Sequence, residues 1–461
     1  MRAGANYTER LGVSGRPHNL PVPKETFVRY HKSRIPIVVP DDAEVLRAPE
    51  VPALPYAEQA VADALASPIG SEPLAALLEA KNPRNVVITI SDITRPVPNK
   101  LILPPILRTL HGAGIPEDRV TILVATGMHR PSTPEEKLEL VGEEIASHYM
   151  IVDHRSEVMD ELTELRQPSI YGTRVFINKR YMEADFRIVT GFIEPHFMAG
   201  FSGGRKGVCP GLANVATVQK FHGFQFLDSP NATNYVLDGN PLHEEATSVV
   251  EMTGIEFLVN VGLNEEKQIA GVFAGDWKQA FLAGTEKVKS WTSARATRTA
   301  DLVVACAGGY PLDKTLYQTG KGMCSTLPIL EQSGKALIVS ACSEGLGSPS
   351  FTKIMREWGQ DWRGFLEWIG SKETTDHDQW GFQMHAKLLQ RTGVEGLMFA
   401  CGGISPEDQA RMSLTPIYFA NGSDPNLEEL RRSIQARIDG ARGERISVIP
   451  DGPYTVPVLS A

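Results

Sequence analysis

Between Gly191 and Gly211 the chain reads GFIEPHFMAGFSGGRKGVCPG, which puts a histidine, a run of glycines and an Arg205–Lys206 pair into one short segment. That set of residues suits a bound phosphate. Glycines let backbone N–H groups close on an anion, the cations balance its charge, and His196 can move a proton or hold a metal. A solvated surface turn has no use for Phe192, Ile193, Phe197, Met198 and Phe201 interleaved through it, so a buried loop is expected.

Other residue types point to the same kind of chemistry. In SDITRP, the planar fork of Arg95 can hold a carboxylate or phosphate, and Asp92 can orient it or a neighbouring histidine; a plain structural salt bridge is the alternative. His129, in ATGMHR, and His196, in EPH, can flank one substrate carbon and exchange protons on opposite faces. A single histidine is more often a satisfied structural residue, and His154, in DHR, fits that description, with Asp153 and Arg155 available to bridge loops. A desolvated Lys206 beside Arg205 should lose basicity and gain nucleophilicity. His222 follows sixteen residues later in the aromatic KFHGFQF, a setting for a ligand in a dry pocket. A zinc site built from His129, His196 and His222 is conceivable, but the spacings match no standard zinc motif. In the second half, Tyr317, Gln318 and Lys321 can bind a carboxylate, and Trp380 can stack on a flat ligand or equally fill a core.

These residues need a scaffold, and the apolar pattern supplies one. Short β-branched runs alternate with helical-length segments, the pattern of parallel α/β architecture. Strands are expected at 86–90, 121–125, 149–152 and 187–190, and again at 302–305, 336–340, 396–400, 417–420 and 446–449. The polar motifs follow directly on strands: SDITRP, ATGMHR, DHR and GFIEPH in the first half, AGGYPLDK and CSEGLGS in the second. Ligands of open α/β sheets bind beyond the carboxyl ends of strands, so these loops should converge on a cleft between two domains. The expected division is an arm at 1–25, an α/β cofactor domain at 26–276, a helical connector at 277–298 and a second α/β domain at 299–461. No internal repeat or low-complexity tract stands out.

Bulk properties narrow the class. At 461 residues the chain has room for two domains, and 42% hydrophobic with 22% charged residues is ordinary for a globular protein. No apolar run is long enough to span a bilayer, and MRAGANYTERLG lacks the apolar stretch of a secretory signal, so a cytoplasmic protein without a membrane partner is expected. Five widely spaced cysteines with no CxxC pair indicate neither a disulfide framework nor a zinc ribbon. A net charge of −9 argues against nucleic acid as a partner but leaves a local cation cluster free to bind a small anion.

Taken together and in order, SDITRP, ATGMHR, DHR, EPHFMAGFSGGRK, FH, LYQTGK and DQW resemble the lactate racemase family, enzymes that use a nickel-pincer nucleotide. The resemblance spans most of the chain. It implies a two-domain α/β isomerase whose active site lies between domains. It also implies a cofactor of the pyridinium-3,5-dithiocarboxylic acid mononucleotide type carrying nickel, supplied by cofactor-synthesis enzymes. By the matching motifs, Lys206 corresponds to the lysine that forms a thioamide with the cofactor and His222 to the nickel ligand. His129 and His196 correspond to the acid/base pair, and Asp92 and Arg95 to substrate-pocket residues. Tyr317, Gln318 and Lys321 correspond to the carboxylate-binding wall, Trp380 to the aromatic beside the cofactor, and Ser202, Gly203 and Gly204 to the phosphate loop. The implied reaction inverts C2 of a 2-hydroxy acid, lactate or a larger aldonate-like acid, by reversible hydride transfer through a 2-keto acid. A zinc-dependent or phosphate-binding lyase built from the same histidines, and a non-catalytic nucleotide carrier, are the competing readings. The arm and the loops around 356–372 depart from shorter family members, which leaves the substrate open.

Overall fold

The computed structural model describes residues 23–418 and 426–460, so most of the expected arm lies outside the described residues. Two six-stranded sheets carry the molecule. The first runs Ile269–Gly275, Phe257–Leu263, Phe186–Ile193, Val86–Ser91, Val120–Ala125 and Met150–Asp153. All its neighbours are parallel except the hairpin pair at 257–275. The second runs Thr415–Tyr418, Leu397–Cys401, Leu330–Ser340, Ala300–Cys306, Ile446–Ile449 and Glu44–Val45, parallel throughout.

Parallel strands need crossover helices, which cover both sheet faces and make the strands apolar on both sides. The period-two alternation is explicit in VVITIS: Val86, Ile88 and Ile90 enter the core beneath helices Ala57–Ala66 and Asn99–Gly112. Val87 enters the opposite core, beneath Pro241–Thr253 and Trp277–Thr292. The second sheet divides the same way, with Val303 and Ala305 on one face and Leu302 and Val304 on the other. The α/β class and the parallel sheets are therefore those expected from the residue pattern.

The structure departs from the expected division in four places. Residues 26–45, read with the first domain, and the last two of the expected arm go with the second sheet: the hairpin Lys24–Tyr30/Ser33–Val39 packs Val28, Ile35 and Ile37 on Leu302 and Val304, and Glu44–Val45 forms an edge strand. The helix within 277–298 forms at Trp277–Thr292 but does not bridge; Phe281 and Val288 bury it on the first sheet. Ser293–Ala296 then pairs with Val456–Leu459. The stretch 356–372, expected as loops, carries parts of two helices, Pro349–Trp358 and Trp362–Gly370, the second capped by Asp361. Strand Thr415–Tyr418 lies earlier than the expected 417–420, whose last two residues are outside the described set. Strand Phe257–Leu263 escaped notice because Asn260 and Gly262 interrupt its apolar run.

Candidate active site

Where the carboxyl ends of the first sheet face the second domain there is a cavity of about 520 Å³. The first domain lines it with Asp92, Arg95, His129, His196, Ser202, Gly203, Lys206 and His222; the second adds Tyr317, Gln318, Lys321, His377 and Trp380. Twelve of the thirteen residues given roles by the matching motifs thus meet in one place. The exception is Gly204, which lies beneath the loop: its N–H donates to Asn260 Oδ1 at 2.7 Å, and a Cβ there would meet Phe281 at 2.6 Å.

The DHR loop does not reach the cavity. Asp153 accepts from Ser132 N and pairs with Lys137, Arg155 pairs with Glu161, and His154 is buried, its Nε2–H donating to the Ala213 carbonyl at 2.9 Å. Burial lowers His154's pKa to about 4, so the ring is a neutral structural strut. The CSEGLGS loop stays behind the wall, where Ser348 bonds Asp378.

The glycine-rich loop is buried as its apolar residues require, with Phe192, Ile193, Met198 and Phe201 nearly inaccessible. Its two cations diverge. Arg205 turns into the core, donates to the carbonyls of Phe201 and Ala199 at 2.9 and 2.8 Å, and lies 4.5 Å over the Phe281 ring. It clamps the loop and faces no ligand. Lys206 faces the cavity, where burial and then the charges of Arg205 and Arg95 hold its pKa well below the usual lysine value. Gly203, at φ +79°, brings bare backbone against the cavity; a Cβ there would meet Asn260 Oδ1 at 2.7 Å and the Phe192 carbonyl at 2.8 Å. Asn260, which no sequence motif marked, thus supports the loop from below.

Hydrogen bonds assign the tautomers of three imidazoles. Burial raises the pKa of Asp92, but the hydrogen bonds from His129 and Thr94 and the charge of Arg95 outweigh it, and the carboxyl falls below its ordinary range. An ionised carboxylate only accepts, so His129 donates through Nδ1 to Asp92 Oδ2 at 2.7 Å and keeps the lone pair on Nε2. His196 is the reverse: its Nδ1 accepts the N–H groups of Met198 and Ala199, both at 3.2 Å, which leaves the proton on Nε2. Burial, then Lys206, Arg95 and Lys321, hold His196 well below the usual histidine pKa and keep it neutral. His222 donates Nδ1–H to the Val218 carbonyl at 2.9 Å, and burial lowers it to about 4, so a neutral ring presents its Nε2 lone pair.

The second domain supplies the facing wall from helix Leu316–Thr326 and from Trp380, whose Nε1–H donates to the Tyr317 hydroxyl at 2.8 Å. The Trp380 ring lies 4.9 Å from that of His222. Burial, then Arg95 from the opposite domain, lowers Lys321 to about 8, with Glu194 opposing. Among the described residues Arg95, Lys206 and Lys321 converge without an ion-paired carboxylate and with Glu194 as a more distant counter-charge, a field that suits an anionic ligand.

An interdomain cleft with a cation cluster, one histidine with a free Nε2 lone pair, another with Nε2–H and a glycine-rich loop has the groups to bind a small anion and exchange protons with it. Comparison with known proteins makes the class definite. Residues 30–234 match the lactate racemase N-terminal domain and residues 295–454 the lactate racemase C-terminal domain. The chain is 36% identical to the lactate racemase of Lactiplantibacillus plantarum over 86% of its length and 89% of that protein's. It is 35% identical to the lactate racemase of Thermoanaerobacterium thermosaccharolyticum over the same shares. The solved apoprotein of a lactate racemase from Thermoanaerobacterium thermosaccharolyticum superposes with a TM-score of 0.84 at 31% identity, covering 94% of this chain and all of that one. A Thermotoga maritima protein shares the fold at a TM-score of 0.60 and 18% identity, over 89% of this chain and all of that one. The chain belongs to the lactate racemase family and is an isomerase of the racemase type. Among the described residues no helix is long and apolar enough to cross a membrane.

Proposed function

We propose that this protein inverts C2 of a small 2-hydroxy acid, lactate or a larger hydroxy acid, with a nickel-pincer nucleotide as cofactor. The observation that carries the reading is the pair of imidazoles on one cation-lined cavity, one with its lone pair toward the ligand space and the other with its proton.

The residues present fit the cofactor. Gly203 gives a bare-backbone cradle for a phosphate, Lys206 offers a buried amine of lowered basicity for a covalent link, and His222 offers a neutral Nε2 to a metal. When bound, the nucleotide supplies a site that takes the C2 hydride and returns it. Everything else falls to the chain. Arg95 and Lys321, with Gln318 and Tyr317, grip the substrate carboxylate and fix C2 between the histidines. His129 takes the hydroxyl proton at Nε2 and gives it back to the C2 oxygen once C2 is reduced again, and Asp92 stabilises the imidazolium in between. His196 offers Nε2–H to the oxygen at C2, as a neutral imidazole polarises a carbonyl elsewhere. Its ring accepts a proton only once Nδ1 releases the Met198 and Ala199 N–H groups. Burial of the loop and the Trp380 ring on the facing wall exclude water from a 2-keto acid between the two hydride transfers.

The competing zinc reading lacks a ligand set, since among the described residues no three His, Cys, Asp or Glu side chains gather to hold a metal. The test uses protein produced together with cofactor-synthesis enzymes. Intact mass should show a mononucleotide-sized adduct that maps to Lys206 and is lost in K206A, bound nickel should accompany it, and an enantiopure 2-hydroxy acid should racemise. An adduct with unchanged chirality of every 2-hydroxy acid tried would favour the carrier reading. Stoichiometric zinc without adduct would overturn the cofactor assignment.

A further inference from the structure

A fourth imidazole lines the cavity with no part in the proposed chemistry. His377 stands at the second domain's lip, 48% of its side chain exposed, with Nδ1 3.1 Å from Asp378 Oδ2. Asp378 is buried, accepts a hydrogen bond from Ser348 Oγ, and adopts φ +66°, a left-handed conformation that costs a non-glycine residue about 1 kcal/mol. The backbone is thus held in a strained turn at the spot that sets His377. Asp378 Oδ2 thus sits between the Ser348 hydroxyl and the His377 ring. A carboxylate beside Nδ1 leaves Nε2 as the nitrogen to meet a ligand.

The pair adjoins the carboxylate grip through Trp380, whose Nε1–H donates to the Tyr317 hydroxyl at 2.8 Å. The His377 ring lies 5.6 Å from that of Trp380. We infer that His377 is a specificity-determining residue, hydrogen-bonding through Nε2 to a polar group on C3 of the substrate and so favouring 2-hydroxy acids that carry one over those that end in alkyl. This rests on the 2-hydroxy acid reading above.

Glycerate and 2-hydroxybutyrate make the test, because they differ at C3 only in a hydroxyl against a methyl of similar size. The ratio of kcat/KM for glycerate over 2-hydroxybutyrate is measured on cofactor-loaded wild type, H377A and H377F, and the corresponding ratio of association constants (1/Kd) on the proteins as isolated. Both ratios should favour glycerate in wild type and fall about tenfold or more in each variant, the factor one hydrogen bond of about 1.4 kcal/mol confers. A wild type that prefers 2-hydroxybutyrate, or ratios that stay within threefold in the variants, would overturn the assignment. Absence of turnover on both acids, with binding ratios that still depend on His377, would count against the racemase reading and for the His377 contact. His377 is exposed and bears no core packing, so both variants should fold, which matching melting temperatures would verify.

Discussion

Replacing Asp92 by Asn tests the tautomer logic most directly. The Thr94 hydroxyl donates to Asp92 Oδ1 at 2.6 Å and the His129 Nδ1–H to Oδ2 at 2.7 Å, so a carboxylate accepts on both sides. An amide has one acceptor. With its oxygen kept toward Thr94, its NH₂ faces His129, and the ring answers by moving its proton to Nε2, where the base lone pair was. Two losses follow. A charge-assisted hydrogen bond is worth about 1.5–3 kcal/mol; the lower end applies because 54% of the His129 side chain is exposed, and it amounts to roughly tenfold in imidazolium stability. Loss of a correctly poised general base adds about 10²–10⁴-fold. D92N should therefore lower kcat by at least about a hundredfold with a smaller change in KM, measured by chiral chromatography of an enantiopure 2-hydroxy acid. Nitrogen-15 chemical shifts of His129 should show the proton move from Nδ1 to Nε2 with or without cofactor. Activity within threefold of wild type together with an unmoved proton would refute the reasoning.

Three further outcomes follow from the same structure. His385 is buried with both ring nitrogens unpartnered, so H385L should raise stability by about 1–2 kcal/mol in urea unfolding, and a loss would reveal a hidden partner. His154 and His385 have folded pKa values lowered by burial to about 4 and about 3. The unfolded chain binds these protons first, so stability should fall as pH drops from about 6.5 toward 4, and H385L should shift the acid midpoint downward in a circular-dichroism titration. G203A puts a Cβ against Asn260 Oδ1 and the Phe192 carbonyl at a φ of +79°; it should cost about 1–2 kcal/mol and suppress formation of the Lys206 adduct, and normal adduct formation would remove the loop from the cofactor site.

Much of this was legible in the chain because α/β folds write their strands as apolar runs and place ligands just beyond them. VVITI, VTILV and FRIVT are strands for the reason their composition suggests, burial on both faces, and the motifs that follow three of them line the cavity. The glycine loop could be marked as buried because apolar residues alternate through it. What local sequence cannot carry is direction. Arg205 and Lys206 are neighbours of like charge, yet one clamps carbonyls in the core and the other faces the cavity, a choice made by Phe281 from a helix far along the chain. Asn260 supports the glycine-rich loop from a strand whose pairing with Phe186–Ile193 brings it there. The proton positions on His129 and His196 depend on whether an ionised carboxylate or two backbone N–H groups meet Nδ1, a matter of angstroms that motif spacing does not encode. The residue types of the chain determined the kinds of chemistry available; packing of the two sheets decided which atoms face one another, because hydrogen-bond polarity and desolvation arise only when distant segments are brought together.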